Sequence, residues 1–155
     1  MEQRSFTVKI DTREKHPWEL ISSRVLGKEV CKLDTGDYTV EGLEDKLCID
    51  RKAYVSELAQ NITTKRFIDE LERIKEFPHA FLIGEFTVTD VFTFPESADL
   101  PPLVKKRIRV NGNYIMRCLT RLQIKYGFNL IFAGNRENAE RIAVNLMEEV
   151  LILYD

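Results

Sequence analysis

Asp37, Asp50 and Lys52 are the residues whose types and spacing best support chemistry. In Leu47-Cys48-Ile49-Asp50-Arg51-Lys52, an apolar run with strand character, positions two apart leave the same face. Asp50 and Lys52 therefore project together, and Arg51 projects the other way. Asp37 precedes a second short strand, Tyr38 to Val40, and a hairpin between the two strands would bring its carboxylate beside that of Asp50. Two neighbouring carboxylates repel, and a hard divalent cation with oxygen ligands relieves that repulsion. Such a cation polarises a phosphodiester, while an adjacent lysine orients or helps deprotonate an attacking water. On spacing alone, however, a solvated hairpin with incidental ion pairs is the commoner arrangement.

The elements that must position these groups follow from the hydrophobic pattern. Phe6 to Ile10 alternates apolar and polar residues and runs into Asp11, as a strand ending in an acid does. His16-Pro17-Trp18 opens a short helix or turn. Val30 to Leu33 and Tyr38 to Val40 are strands on either side of a turn made by Asp34-Thr35-Gly36-Asp37. From Tyr54 to Phe77 the period lengthens to that of a helix, through Leu58, Ile62, Phe67, Leu71 and Ile74, with a break near Asn61 to Thr64 and a stop at Pro78. Ala80 to Ile83 is a strand buried on both faces, and Thr87 to Phe94 extends or pairs with it. After a loop at Asp99-Leu100-Pro101-Pro102, the one candidate linker, a helix spans Asn111 to Tyr126 with Gly127 as its C-cap. Phe128 to Phe132 is a strand, and Asn135 caps a final helix carrying Ile142, Leu146, Val150 and Leu151. That order predicts an α/β fold, a central mixed sheet with helices on both faces.

The chain has 155 residues, 44% of them hydrophobic, enough for one domain with a full core over 1–155. A net charge of −2 gives no global attraction to a polyanion, so contact with nucleic acid would depend on local patches. The one dense basic run is Lys105-Lys106-Arg107-Ile108-Arg109, which reads as a phosphate-contacting patch or as ordinary solvated surface. Cys31, Cys48 and Cys118 match no zinc spacing, and the first two read as small buried thiols. Two histidines supply too little material for a zinc site or a histidine-based nucleophile, and isolated glycines exclude a phosphate-cradling loop. With no membrane-length apolar segment and no leader pattern behind Met1, an intracellular location, cytoplasm or nucleus of the host, is expected.

Four islands, Ile10-Asp11-Thr12-Arg13-Glu14, Gly36-Asp37-Tyr38, Ile49-Asp50-Arg51-Lys52 and Leu82-Ile83-Gly84-Glu85-Phe86, resemble in order and spacing the nuclease domain of the xeroderma pigmentosum group F family. That family lies within the PD-(D/E)xK, restriction-endonuclease-like superfamily. The resemblance implies a metal-dependent endonuclease that hydrolyses DNA and leaves a 5′-phosphate and a 3′-hydroxyl. Its roles would be Mg²⁺ (or Mn²⁺) binding by Asp37, Asp50 and the backbone carbonyl of Arg51, a catalytic Lys52, and support from Asp11, Arg13 and Glu14 at the rim. Asp11 could hold a second cation or a water; Arg13 and Arg51 could each hold a phosphate or pair with an acid. Arg66 falls where the family has a Gly-Arg pair, without its glycine, and joins Lys105, Lys106 and Arg107 as a candidate DNA contact. The family has Glu-Arg-Lys where this chain has Asp50-Arg51-Lys52, which shortens one metal arm by a methylene.

Family members often carry a tandem helix-hairpin-helix module, for which this chain has no room. Duplex recognition would then come from a homodimer or a heteromeric partner, and the setting would be DNA repair, recombination, or a phage or mobile element. Some family members have lost the acidic cluster and act as scaffolds, whereas the carboxylates and the lysine are present here. The rival readings are a non-catalytic DNA-binding or scaffolding subunit, and a sequence-specific restriction-type enzyme.

Overall fold

The computed structural model describes residues 3–155, so the leader reading at Met1 and Glu2 lies outside the described residues. Six strands form one mixed sheet in the order β2-β1-β3-β4-β5-β6. They are β1 (Phe6–Asp11), β2 (Val25–Cys31), β3 (Tyr38–Val40), β4 (Leu47–Lys52), β5 (His79–Gly84) and β6 (Asn129–Phe132). The helices are α1 (Val55–Asn61), α2 (Lys65–Ile74), α3 (Val88–Phe92), α4 (Pro102–Arg107), α5 (Gly112–Tyr126) and α6 (Arg136–Leu153).

The sheet divides the core in two, as the period of two along each strand requires. Cys48 and Leu82 face α1, α2, α3 and α5, packing with Leu58, Phe67, Leu71, Val91, Ile115 and Leu119. Leu47, Ile49 and Ile83 face the opposite way, onto Ala139, Ala143 and Met147 of α6 and onto Trp18. Burying a leucine or isoleucine this completely contributes about 1.5–3 kcal/mol each, and β4 is buried along both faces.

Helix ends follow their sequence signals. The Thr64 hydroxyl accepts from Phe67 N at 3.2 Å, Asn111 Oδ1 from Tyr114 N at 2.9 Å and Asn135 Oδ1 from Asn138 N at 2.8 Å, and Gly127 closes α5 with φ 72°.

Four expectations give way. Thr87 to Phe94 forms the short helix α3 rather than a strand. Thr87 and Asp90 exchange reciprocal bonds, Asp90 N to the Thr87 hydroxyl and Thr87 N to the Asp90 carboxylate, and this capping box overrides the strand propensity of Thr-Val-Thr. No helix opens at His16-Pro17-Trp18; the segment is irregular, and Trp18 turns inward to stack on Tyr38 with ring centroids 4.4 Å apart. The strand read at Val30 to Leu33 runs earlier, over Val25–Cys31. It is also no hairpin partner of β3: it pairs in parallel with β1 at the sheet edge, after the long connection a parallel crossover demands. Cys31, expected as a buried thiol, is only half-buried on the edge strand β2, while Cys48 is buried. The apolar face expected of α6 is present: Ala139, Ala143, Val144, Met147 and Val150 are buried, and Ile142, Leu146 and Leu151 pack half-buried beside them.

Candidate active site

Antiparallel pairing of β3 with β4, Tyr38 opposite Ile49, is the arrangement that brings Asp37 beside Asp50. Gly36 makes the approach possible. Its φ is +79°, and a Cβ built there would stand 2.6 Å from Cys48 Sγ and 3.2 Å from the Ile49 carbonyl. The turn is pinned on both sides, Asp37 N donating to Ile49 O at 2.8 Å and Asp11 N to Asp37 O at 2.9 Å.

Asp37 Oδ2 accepts from the backbone N–H of Arg51 at 2.8 Å. Asp50 is 4% exposed, and its Oδ2 is buried with no hydrogen-bond partner. The Lys52 ammonium lies 3.6 Å from that oxygen, too long for a good hydrogen bond, and hangs over the Phe67 ring. Burial and the Asp50 charge beside it push the Asp37 carboxyl well above the carboxylate range. Lys52 is pulled in two directions: burial disfavours its charge, but Asp50, Glu70 and Asp37 outweigh burial and hold it above its usual value.

These groups line one cleft of about 180 Å³, with Arg13, Glu14, Arg51, Glu57, Arg66 and Glu70 completing its wall. Arg66 is exposed at its mouth. Arg13 also borders a larger open groove of about 910 Å³, in which Lys32 and Arg73 are offset by Asp34, Glu44, Asp45 and Glu76.

Asp11 lies outside the cleft wall. Its buried carboxylate accepts from Leu33 N at 2.9 Å and from Arg13 Nε at 2.6 Å, so both oxygens are engaged in holding the loop after β1. Burial opposes its charge, but these donors more than compensate and its pKa falls below the ordinary value. The Arg51 guanidinium is equally committed. It binds Glu85 with Nε at 2.8 Å and Nη2 at 3.1 Å, and reaches Glu14 at 3.0 Å and the His16 carbonyl at 2.7 Å, with Trp18 stacked over it. Glu14 also accepts from the Tyr38 hydroxyl at 2.7 Å, and Trp18 Nε1 donates to Glu85 at 2.6 Å. This network runs from the cleft wall at Glu14 and Arg51 back to Glu85 and Trp18, and it ties β3 to β4. Lys105, Lys106 and Arg107 sit on α4, away from the cleft wall, with the Lys105 ammonium on the Glu96 carbonyl.

Glu70, Glu57 and Glu85 were not read as site residues from the sequence. Glu57 accepts from Ala53 N and Tyr54 N at the start of α1. A signal for Glu70 did exist: it stands one turn after Arg66, on the polar border of a helix whose buried stripe is Phe67, Leu71 and Ile74.

Hard oxygen donors, carboxylate repulsion and an orphaned buried carboxylate oxygen fit a divalent cation such as Mg²⁺ or Mn²⁺. Among the described residues no three His, Cys, Asp or Glu side chains converge to chelate an ion, so the side-chain arms available are Asp37 and Asp50.

Residues 10–146 match the ERCC4 domain. The chain belongs to that family. Its ERCC4 domain superposes on XPF from Aeropyrum pernix with a TM-score of 0.69 at 20% identity, covering 94% of this chain and 65% of that one. A second structure of XPF from Aeropyrum pernix, in complex with DNA, gives a TM-score of 0.67 at 20% identity, covering 95% of this chain and 65% of that one. The chain thus spans just under two thirds of the length of these structures. No curated protein matches it. Family and fold agree with the resemblance read from the four sequence islands and with the restriction-endonuclease-like α/β sheet expected from it. No helix among the described residues is long and apolar enough to cross a membrane.

Proposed function

We propose that this ERCC4 domain is a metal-dependent endonuclease that hydrolyses DNA phosphodiester bonds, structure-selective or nicking in its action. The observation that carries the reading is the unpartnered, buried Asp50 Oδ2 beside Asp37 and Lys52 in one cleft. A divalent cation held by Asp37 and Asp50, with the Arg51 carbonyl as a third oxygen, would supply charge to polarise the scissile phosphate.

The remaining roles belong to the chain itself. Lys52, on the same strand face as Asp50, orients the attacking water by hydrogen bonding and brings a positive charge to the phosphate. Arg66 at the cleft mouth and Arg13 toward the adjoining groove bind flanking phosphates. Arg51, tied to Glu85 and Glu14, holds the two acid-bearing strands in place and reaches no substrate. Asp11 fixes the loop that presents Arg13. Lys105, Lys106 and Arg107 form a separate patch for more distant phosphates. The complex with DNA formed by XPF from Aeropyrum pernix supports DNA as substrate, with a second copy or another chain supplying duplex recognition.

Incubating the protein with supercoiled plasmid and with labelled linear, flap and forked duplexes, in Mg²⁺, Mn²⁺ or chelator, tests this. Cutting in metal only, with branched substrates preferred, is expected. Binding without cutting under every condition would favour a scaffolding subunit, and discrete products from linear duplex would favour sequence recognition.

A further inference from the structure

The cleft contains a carboxylate that no role described so far employs. Glu70 projects from α2 into the wall formed by Asp37, Asp50, Lys52 and Arg66. It makes no salt bridge within 4 Å among the described residues, whereas Asp11, Glu14 and Glu85 each have an arginine. Its neighbours Phe67, Leu71 and Ile74 are buried against the core, which fixes α2 and leaves Glu70 on the cleft side. An acid at this place is costly: it stands near Asp50, itself buried with an orphaned oxygen, so like charges accumulate where water is scarce.

We propose that Glu70 is a positioning carboxylate of the cation site, raising the divalent-cation affinity of the Asp37–Asp50 pair by its charge rather than by ligating the ion. The inference rests on the metal-dependent reading above. In the cleft wall Arg13, Arg51, Lys52 and Arg66 balance Glu14, Asp37, Asp50 and Glu57, so without Glu70 the formal charges cancel and the cleft has no net negative charge to retain a dication. Glu70 adds negative charge from the helix side, while the Lys52 ammonium stands 3.6 Å from Asp50. A charge of this kind falls off slowly in a low-dielectric cleft and needs no contact with the ion. It also accounts for an unpaired acid in a position where an apolar or neutral residue would pack at lower cost.

The test is calorimetric titration of Mn²⁺ into the intact chain, without DNA, for wild type, Glu70→Gln, Glu70→Asp and Asp50→Asn, with thermal melting of each in chelator and in Mn²⁺. Glu70→Gln should weaken Mn²⁺ binding by roughly tenfold, and Glu70→Asp should recover most of the loss. In chelator, Glu70→Gln should melt at or above the wild-type temperature, while its gain in melting temperature on adding Mn²⁺ shrinks. A Glu70→Gln affinity within twofold of wild type, with Asp50→Asn abolishing binding, would overturn the role of Glu70 and leave the metal-site reading intact. Glu70→Gln melting well below wild type in chelator with unchanged Mn²⁺ affinity would mark a structural role and overturn the proposal. Absence of Mn²⁺ binding by folded wild type would overturn both.

Discussion

The backbone N–H of Arg51 donates to the Asp37 carboxylate at 2.8 Å, and the residue acts on the site through both main chain and side chain. Its main chain steadies the acid contributed by the turn before β3. Its side chain is clamped by Glu85 and Glu14. Removing that clamp leaves two buried carboxylates without their counter-charge. Arg51→Met should therefore destabilise the fold by about 3–5 kcal/mol in chemical denaturation, and Arg51→Lys should not restore it, because an ammonium lacks the planar fork that meets Glu85 through two nitrogens.

Asp50→Asn should separate stability from function. In the metal-free protein an amide relieves repulsion with Asp37 and can donate to it, which offsets the counter-charge lost by Lys52, so stability should change by no more than about 1 kcal/mol. Metal-dependent cleavage should be lost in the same preparation. Urea melts in chelator and plasmid nicking in Mg²⁺ check the two halves.

Asp11 gives a pH dependence with a definite sign. Its folded pKa is lowered, the Leu33 and Arg13 donors outweighing burial, so its contribution is present above the unfolded-state value of about 3.9 and is lost as pH falls through the lower folded value. The stability gap between wild type and Asp11→Asn should be constant from about pH 5 to 8 and narrow below about pH 4. At neutral pH a gap of about 1.5–3 kcal/mol is expected for hydrogen bonds to a charged group. A gap that widened on acidification would contradict the assignment.

Gly36→Ala should cost about 1–3 kcal/mol, because both the left-handed backbone and the contact with Cys48 Sγ and the Ile49 carbonyl oppose a Cβ. Since the shift displaces Asp37, cleavage should fall even at temperatures where the variant remains folded by circular dichroism.

Arg66→Ala should weaken DNA binding in a non-cleaving background and reduce the salt dependence of log Kd by about 0.9, as one lost phosphate contact does. Replacing Lys105, Lys106 and Arg107 together with alanine should lower the slope by up to about three times that amount if all three meet phosphates. An unchanged slope for the triple variant would assign α4 to solvated surface.

The parts of this structure legible in sequence are those set by local periodicity. β4 reveals its two faces through alternation, Gly36 marks the turn, and their combination placed Asp37 near Asp50. Helices α1, α2, α5 and α6 were legible for the same reason, whereas α3 reads as strand and α4 as loop followed by a basic run. Elements governed by distant partners were not. β2, with Gly27, Lys28 and Glu29 at its middle, has weak strand character of its own and is held by parallel pairing to β1. α3 has strand-prone residues but a capping box that outweighs them over five positions. The Trp18–Arg51–Glu85 assembly joins residues more than thirty positions apart, and the orphaned oxygen of Asp50 is a property of packing that no local pattern encodes.

The most direct test of the central claim compares wild type and Lys52→Ala, both shown to be folded, in single-turnover cleavage of a labelled forked duplex in Mg²⁺ and in chelator. The account predicts cleavage by wild type in Mg²⁺ alone and a rate about 10²–10⁴-fold lower for Lys52→Ala. Equal rates for the two proteins, or cleavage that persists in chelator, would contradict it.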